Sequence, residues 1–145
     1  MNIVKRDLSE FTSTEWADIV RLREEEFVLA QQCIYIDADT EDVSAMHICC
    51  YDNAELTGYL RVLMKSEKQY SIGRIVTKNN RRNQGIAKKI ITAAVEHIAT
   101  NTDVTISMSA QVYLTVFYRK LGFVETGKMY LEDGIPHIKM TYQMS

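Results

Sequence analysis

Apolar and polar positions are most sharply ordered between Tyr70 and Thr100. YSIGRIVTK places Ile72, Ile75 and Val76 in a short β-branched run, NNRRNQG interrupts it with turn formers, and GIAKKIITAAVEHIAT resumes at a spacing of three and four. The pattern predicts a strand, a turn and a helix. The helix has an apolar stripe of Ile86, Ala87, Ile90, Ile91, Ala94, Val95 and Ile98, with Lys88, Lys89, Thr92 and Glu96 opposite. One face docks and the other meets water.

On either side the pattern alternates between helical and strand-like spacing. Asn2 to Arg6 reads as a short strand, and Ser13 or Thr14 caps a helix carrying Trp16, Ile19, Val20, Leu22, Arg23 and Phe27. QQCIYIDADTED reads as a loop that approaches the core through Ile34 and Tyr35. SAMHICCYDNAELTGYLRVLMK reads as two strands around Asp52 and Asn53, and a second turn at Ser66 to Gln69 leads into the strand at Tyr70. After the helix, DVTISMSA is a strand, QVYLTVFYRKLG a short helix ended by Gly122, and FVETGKMY and PHIKMTYQ are strands separated by LEDGI. The economical assignment is one mixed domain, α/β in the α+β sense, spanning residues 1–145 with no repeat or linker.

Composition changes the picture mainly by exclusion. With 145 residues, 46% of them hydrophobic and 25% charged, the chain has enough apolar surface for one core. A net charge of -2 argues against general nucleic-acid binding, so any anion site is local. No apolar run nears the roughly 20 residues of a membrane span, and MNIVKRDLSE lacks the apolar core of a signal peptide; a soluble, cytoplasmic protein with no membrane partner is expected. Cys33, Cys49 and Cys50 are odd in number and lack CxxC spacing, which reads as buried reduced thiols, and no metal site is expected from them with His47.

Charge singles out the turn before the helix. A helix start carries partial positive charge and unsatisfied N–H groups, and acidic residues there stabilise by roughly 0.3 to 1 kcal/mol each. This one has Arg81 and Arg82 before it and Lys88 and Lys89 inside it. Two readings follow: a solvated basic turn, or a site for an anion such as phosphate. Gly85 favours the second, since it lets a bulky anion approach the backbone.

The same residues carry a family resemblance. RIVTKNNRRNQGIAKKI resembles the acyl-CoA-binding motif of the GNAT superfamily of N-acetyltransferases: Gln or Arg, two residues, Gly, one residue, then Gly or Ala, with Arg82, Gly85 and Ala87 in those positions. AQVYLTVFYRKLGF resembles the second motif, with Tyr118 before Gly122-Phe123. LREEEFVLAQQCIYIDAD, the MHI segment and YLEDGIPHIKM extend the likeness, from about Leu22 to Met140, to the ElaA-type branch. The fold this implies is a twisted, mixed, mostly antiparallel sheet of about six to seven strands flanked by helices.

The resemblance also implies the chemistry: acetyl-CoA as co-substrate, an amine attacking its thioester directly in a ternary complex, and no metal. The pyrophosphate is expected on the loop and helix start, at Arg81, Arg82, Asn83, Gln84, Gly85, Ile86 and Ala87. Ile75 and Val76 are expected to pair with the pantetheine arm as an added strand would, beside a bulge or weak point at Gly73, with Gln111 and Tyr118 completing the cofactor contacts. Tyr118 takes the role of acid toward the leaving thiolate, against the plainer reading of a core aromatic.

For the base, His47, His137, Glu132 and Asp133 stand as candidates, each weighed against a half-buried histidine or a solvated acidic turn. Arg23, Gln32, Tyr35, His47 and His137 are candidates for the acceptor pocket, although Arg23 also reads as an exposed residue among glutamates. The acceptor is an amine of a small molecule or peptide, to which the acidic stretch Asp37 to Asp42 offers attraction or merely a solvated loop. Homodimerisation is left open. A non-catalytic acyl-CoA sensor on the same fold is the competing reading; it needs Arg82, Gly85 and Ala87 but not Tyr118.

Overall fold

Alternation along the strands sorts side chains to two sides of one sheet. Strand β1 (Asn2–Asp7) is followed by β2 (Met46–Asp52), β3 (Glu55–Ser66), β4 (Gln69–Thr77), β5 (Thr105–Gln111), β6 (Val124–Glu132) and β7 (Ile135–Gln143). They lie in the order β1-β2-β3-β4-β5-β7-β6, with every neighbouring pair antiparallel except β4 and β5. The helices are α1 (Ser13–Arg23), continued by a π-helical stretch at Glu24–Leu29, then α2 (Glu41–Ser44), α3 (Ile86–Ile98) and α4 (Thr115–Lys120). The computed structural model describes residues 1–31, 37–99 and 103–143. None of its helices is long and apolar enough to cross a membrane.

In β2, Ile48 and Cys50 face the side covered by α3, while Cys49 and Tyr51 face α1. The alternation continues in β3, where Leu60 and Val62 join α3 and Tyr59 joins α1. The predicted stripe of α3 is the buried one: Ile86, Ile90, Ile91, Ala94 and Ile98 pack on the sheet, flanked by half-buried Ala87 and Val95. Isoleucine and valine disfavour helix by at most about 0.7 kcal/mol each. Burying such a side chain stabilises by roughly 1.5–3 kcal/mol, so packing decides the outcome.

The local signals form the predicted types of cap and turn, in one case displaced by a residue. Thr12, one position earlier than expected, caps α1: its side chain accepts from Glu15 N–H at 3.1 Å while Glu15 Oε1 accepts from Thr12 N–H at 2.9 Å. LEDGI is a two-residue hairpin turn with Asp133 and Gly134 both at positive φ, 52° and 77°. Gly122 at φ 102° ends α4, and a Cβ there would lie 2.5 Å from the Tyr142 ring. Cys49 and Cys50 are buried free thiols, as expected, and Cys33 lies outside the described residues.

The loop Asp37 to Asp42 is held internally. Arg23, fully buried rather than exposed, donates to Asp37 Oδ2 at 2.6 Å and Asp42 Oδ1 at 2.8 Å. Arg61 donates to Asp39 Oδ1 at 2.7 Å and Asp42 Oδ1 at 2.9 Å, and Arg74 pairs with Asp37 at 2.8 Å. Three carboxylates whose sequence context suggests either attraction for an amine or a solvated loop are thus matched by three arginines. Burying any one of these charges unpaired costs several kcal/mol, which is why the arginines and aspartates appear as a set.

Candidate active site

The sheet splits beside the basic turn. Strands β4 and β5 pair only at Gln69 with Thr105, Tyr70 with Ile106 and Ser71 with Ser107, and then part. No strand among the described residues pairs with that edge of Ile72 to Thr77. On the other edge the register slips: Tyr59 faces Val76 while Arg61 faces Gly73, so β4 carries one extra residue there. The expected bulge therefore lies one position past Gly73, at Arg74, which takes a left-handed φ of 52°. A bulge bends and twists its strand, which helps β4 turn away from β5. Arg74 is fastened in this conformation by Asp37.

Two adjoining cavities of about 300 and 400 Å³ occupy the split, and both are bounded by Phe27, Gln31, Ile75, Gln111, Leu114 and Tyr118. The larger continues along Val76 and Thr77 to Arg82, Asn83, Gly85, Ile86 and Ala87 at the start of α3. Gly85 is the N-cap at φ 76° and supplies no side-chain cap, so the first-turn N–H groups have no side-chain acceptor from that position. Asn83 is also left-handed, φ 65°, and such successive turns form anion-binding concavities. Arg81 does not belong to this cleft: it bonds Asp52 at 2.8 Å and also Glu55, tying the loop to the β2–β3 turn. Gln84 is not among the lining residues either. Arg82 remains at the cleft, with Glu26 3.1 Å away.

The smaller cavity runs from Ile72 to Ile75 across to Ser109, Glu132, Asp133 and His137. His137 stands on β7 with its Nδ1 2.7 Å from the Ile135 carbonyl. A carbonyl can only accept, so Nδ1 carries the proton and Nε2 is directed to Glu132 Oε2 at 3.3 Å. A neutral imidazole of this tautomer has its lone pair at Nε2, on the side of Glu132. Tyr130 stacks on the ring at 6.2 Å between centroids.

Tyr118, on α4, faces both cavities and is 6% exposed. Burial pushes its phenol up to about 12, so it holds its proton through the neutral range. Phe117 and Phe123 pack on its ring at 5.3 and 6.4 Å.

Two further candidates are elsewhere. His47 is fully buried on the α1 face, where Nε2 donates to the Asp42 carbonyl at 2.9 Å and Nδ1 accepts from Tyr59 O–H at 2.5 Å. Burial lowers its pKa; with both nitrogens bonded and no access to the split, it has no proton to exchange with a substrate there. Arg23 serves the ionic cluster beneath the loop. Gln32 and Tyr35 lie outside the described residues. Sequence reasoning passed over Glu26, Gln31, Ser109 and Leu114, all at the cleft. Phe27, on the helix stripe by its spacing, also stands at the cavity wall.

The cleft is thus a sheet split between a bulged strand and its parallel neighbour, with an open helix start at one end and a buried phenol at the crossing. Residues 17–144 match the family described as "Acetyltransferase (GNAT) domain", and the chain belongs to that family. Within it the chain is similar to the protein ElaA of Escherichia coli strain K12, 30% identical over 141 residues that cover 94% of this chain and 92% of ElaA. The crystal structure of Escherichia coli ElaA superposes with a TM-score of 0.90, covering 98% of this chain and 99% of the other at 30% identity. An acyl-CoA N-acyltransferase from Pseudomonas aeruginosa gives the same TM-score, 0.90, at 31% identity and coverages of 98% and 99%. The fold alone is shared with an aminoglycoside 6'-N-acetyltransferase solved with coenzyme A, at 16% identity, a TM-score of 0.77 and coverages of 99% and 97%. By family and fold the chain is a transferase of the acyl-CoA N-acyltransferase class.

Proposed function

We propose that this protein moves an acetyl group from acetyl-CoA directly to a primary amine of a small molecule or peptide. The observation that carries the reading is the β4 edge that no strand among the described residues pairs, leading to the helix start that Gly85 opens. An extended arm with amide groups and a pyrophosphate at one end asks for those two features in that order. The residues fit: the backbone of Ile75 and Val76 would pair with the arm, and Arg82, Asn83, Gly85, Ile86 and Ala87 would receive the phosphates. Arg81 and Gln84 are left out of that set. The thioester supplies an activated acyl carbon; the chain supplies position, a proton donor and a proton acceptor.

Tyr118 reaches both cavities and donates a hydrogen bond toward the sulfur as charge develops there. His137, with Glu132 beside it, removes a proton from the attacking amine at Nε2. Asp133 lies on the rim of the same cavity, and Glu132 and Asp133 together give a cationic acceptor a favourable approach. The competing reading, a sensor that binds acyl-CoA without transfer, gives no reason for a titratable pair and a buried phenol to share the split. The deciding experiment is incubation with acetyl-CoA and a panel of primary amines, following free thiol and product mass. Amine-dependent thiol release and a product heavier by one acetyl group are expected; acetyl-CoA binding with no transfer to any amine would favour the sensor. Sedimentation of the purified protein determines whether it is a monomer or a homodimer.

A further inference from the structure

The cleft already contains an anion of its own. Glu26, in the π-helical continuation of α1, is 8% exposed and lines the larger cavity with Gly85 and Ala87. Its Oε1 accepts the Asn79 N–H at 3.1 Å, and its Oε2 accepts from Arg82 Nη2 at 3.1 Å. The two partners are not held alike. The Glu26 side chain is 9% exposed and anchored to backbone, whereas that of Arg82 is 57% exposed and reaches in from the loop. Arg82 is the partner able to turn toward a ligand, and Glu26 is the one that stays.

We infer that Glu26 is a resident counter-anion of the phosphate site, neutralising Arg82 in the empty cleft and competing with the incoming pyrophosphate for the same guanidinium, so that it sets the affinity for acyl-CoA and speeds release of CoA. The inference rests on the assignment of Arg82, Asn83, Gly85, Ile86 and Ala87 to the phosphates. A carboxylate so placed opposes binding twice. The ligand must share or take over Arg82, and a buried carboxylate is then left near two phosphates with the Asn79 N–H as its remaining hydrogen-bond partner among the described residues. Like charges brought together at a partly dry surface weaken binding strongly. The π-helical turn is what delivers the side chain here: one extra residue in the turn re-aims the positions that follow Arg23 relative to a continued α-helix. A purely structural staple would fix the loop through Asn79 alone and would have no reason to extend its second oxygen to the cleft arginine.

The test compares wild type with Glu26→Gln, which keeps the acceptor for Asn79 and removes the charge. CoA binding is measured by titration calorimetry and stopped-flow dissociation, with inorganic pyrophosphate and pantetheine as further probes. Glu26→Gln is expected to bind CoA about three- to tenfold more tightly, mainly through slower dissociation, and pyrophosphate more tightly in parallel. Pantetheine, which has no phosphate, is expected to change by less than about twofold. Glu26→Asp, which keeps the charge but withdraws it from Arg82, is expected to fall between the two and provides a second variant if Glu26→Gln melts too low to assay. Unchanged or weaker CoA binding in both variants, or an equal gain for pantetheine, would overturn the inference. Failure of wild type itself to bind CoA or pyrophosphate would instead remove the phosphate-site assignment, and the inference with it.

Discussion

Replacing Tyr118 by Phe removes one hydroxyl from the crossing of the two cavities and leaves the ring packed on Phe117 and Phe123. Burial pushes this phenol up to about 12, while a free thiol lies near 8.5. Complete proton transfer from Tyr118 to a leaving thiolate is thus uphill by about 3.5 units, roughly 5 kcal/mol at 1.36 kcal/mol per unit. The side chain acts better as a donor than as a fully dissociating acid. A hydrogen bond to a charged group contributes about 1.5–3 kcal/mol, so kcat is expected to fall roughly ten- to 150-fold. Loss of an obligatory acid would reach about 10²- to 10⁴-fold. Steady-state kinetics with acetyl-CoA and a competent amine, with CoA binding measured separately, distinguishes these. CoA affinity should change little. A kcat within twofold of wild type would remove Tyr118 from the chemistry, and wild-type activity that declines with a midpoint near pH 8 to 9 owing to this phenol would contradict the burial argument.

Other outcomes follow from the same geometry. Arg82→Glu is expected to weaken CoA binding by at least about tenfold in calorimetry, because it sets a second carboxylate beside Glu26. His137→Gln should lower kcat/KM by roughly a hundredfold while CoA still binds, as expected for removal of a general base. Asp42→Asn is expected to destabilise by about 3–5 kcal/mol in urea titration, since it leaves Arg23 and Arg61 buried beside a neutral amide. Burial alone would raise the Asp42 pKa, but the hydrogen bond and charge of Arg23, then Arg61, outweigh it and hold the carboxyl below its ordinary value. Its contribution to stability is therefore complete above the unfolded value, near 3.9, and disappears as pH falls through the lower folded value. Asp42→Asn should flatten the acid limb of the stability curve below about pH 4.

The ionic cluster shows how far charge can be read without neighbours. Along the chain, Asp37, Asp39 and Asp42 form an acidic stretch, and Arg23, Arg61 and Arg74 are scattered over a helix and two strands. Only the approach of α1, β3 and β4 turns them into matched pairs, and a possible acceptor lure becomes a fastening for the β4 bulge. His47 changes in the same way. On its strand it is a histidine of useful titration range; in the fold it is sealed between Tyr59 and a backbone carbonyl.

What the sequence by itself determined was whatever depends on neighbours within about one turn or one strand. Period two sorted β2 and β3 to their faces, period 3.6 identified the buried stripe of α3, and the Arg82–Gly85–Ala87 spacing located the open helix start. These are local because backbone geometry repeats over a few residues. Tertiary structure decided which charges survive to act. Arg81 and Arg82 are adjacent and chemically alike in sequence, yet one is consumed by Asp52 and Glu55 and the other is left at the cleft with Glu26. Likewise, nothing in β4 alone records that β5 pairs with it for three residues and then diverges. Electrostatic partners and strand edges depend on distances between segments far apart in the chain, and those distances exist only once the chain has packed.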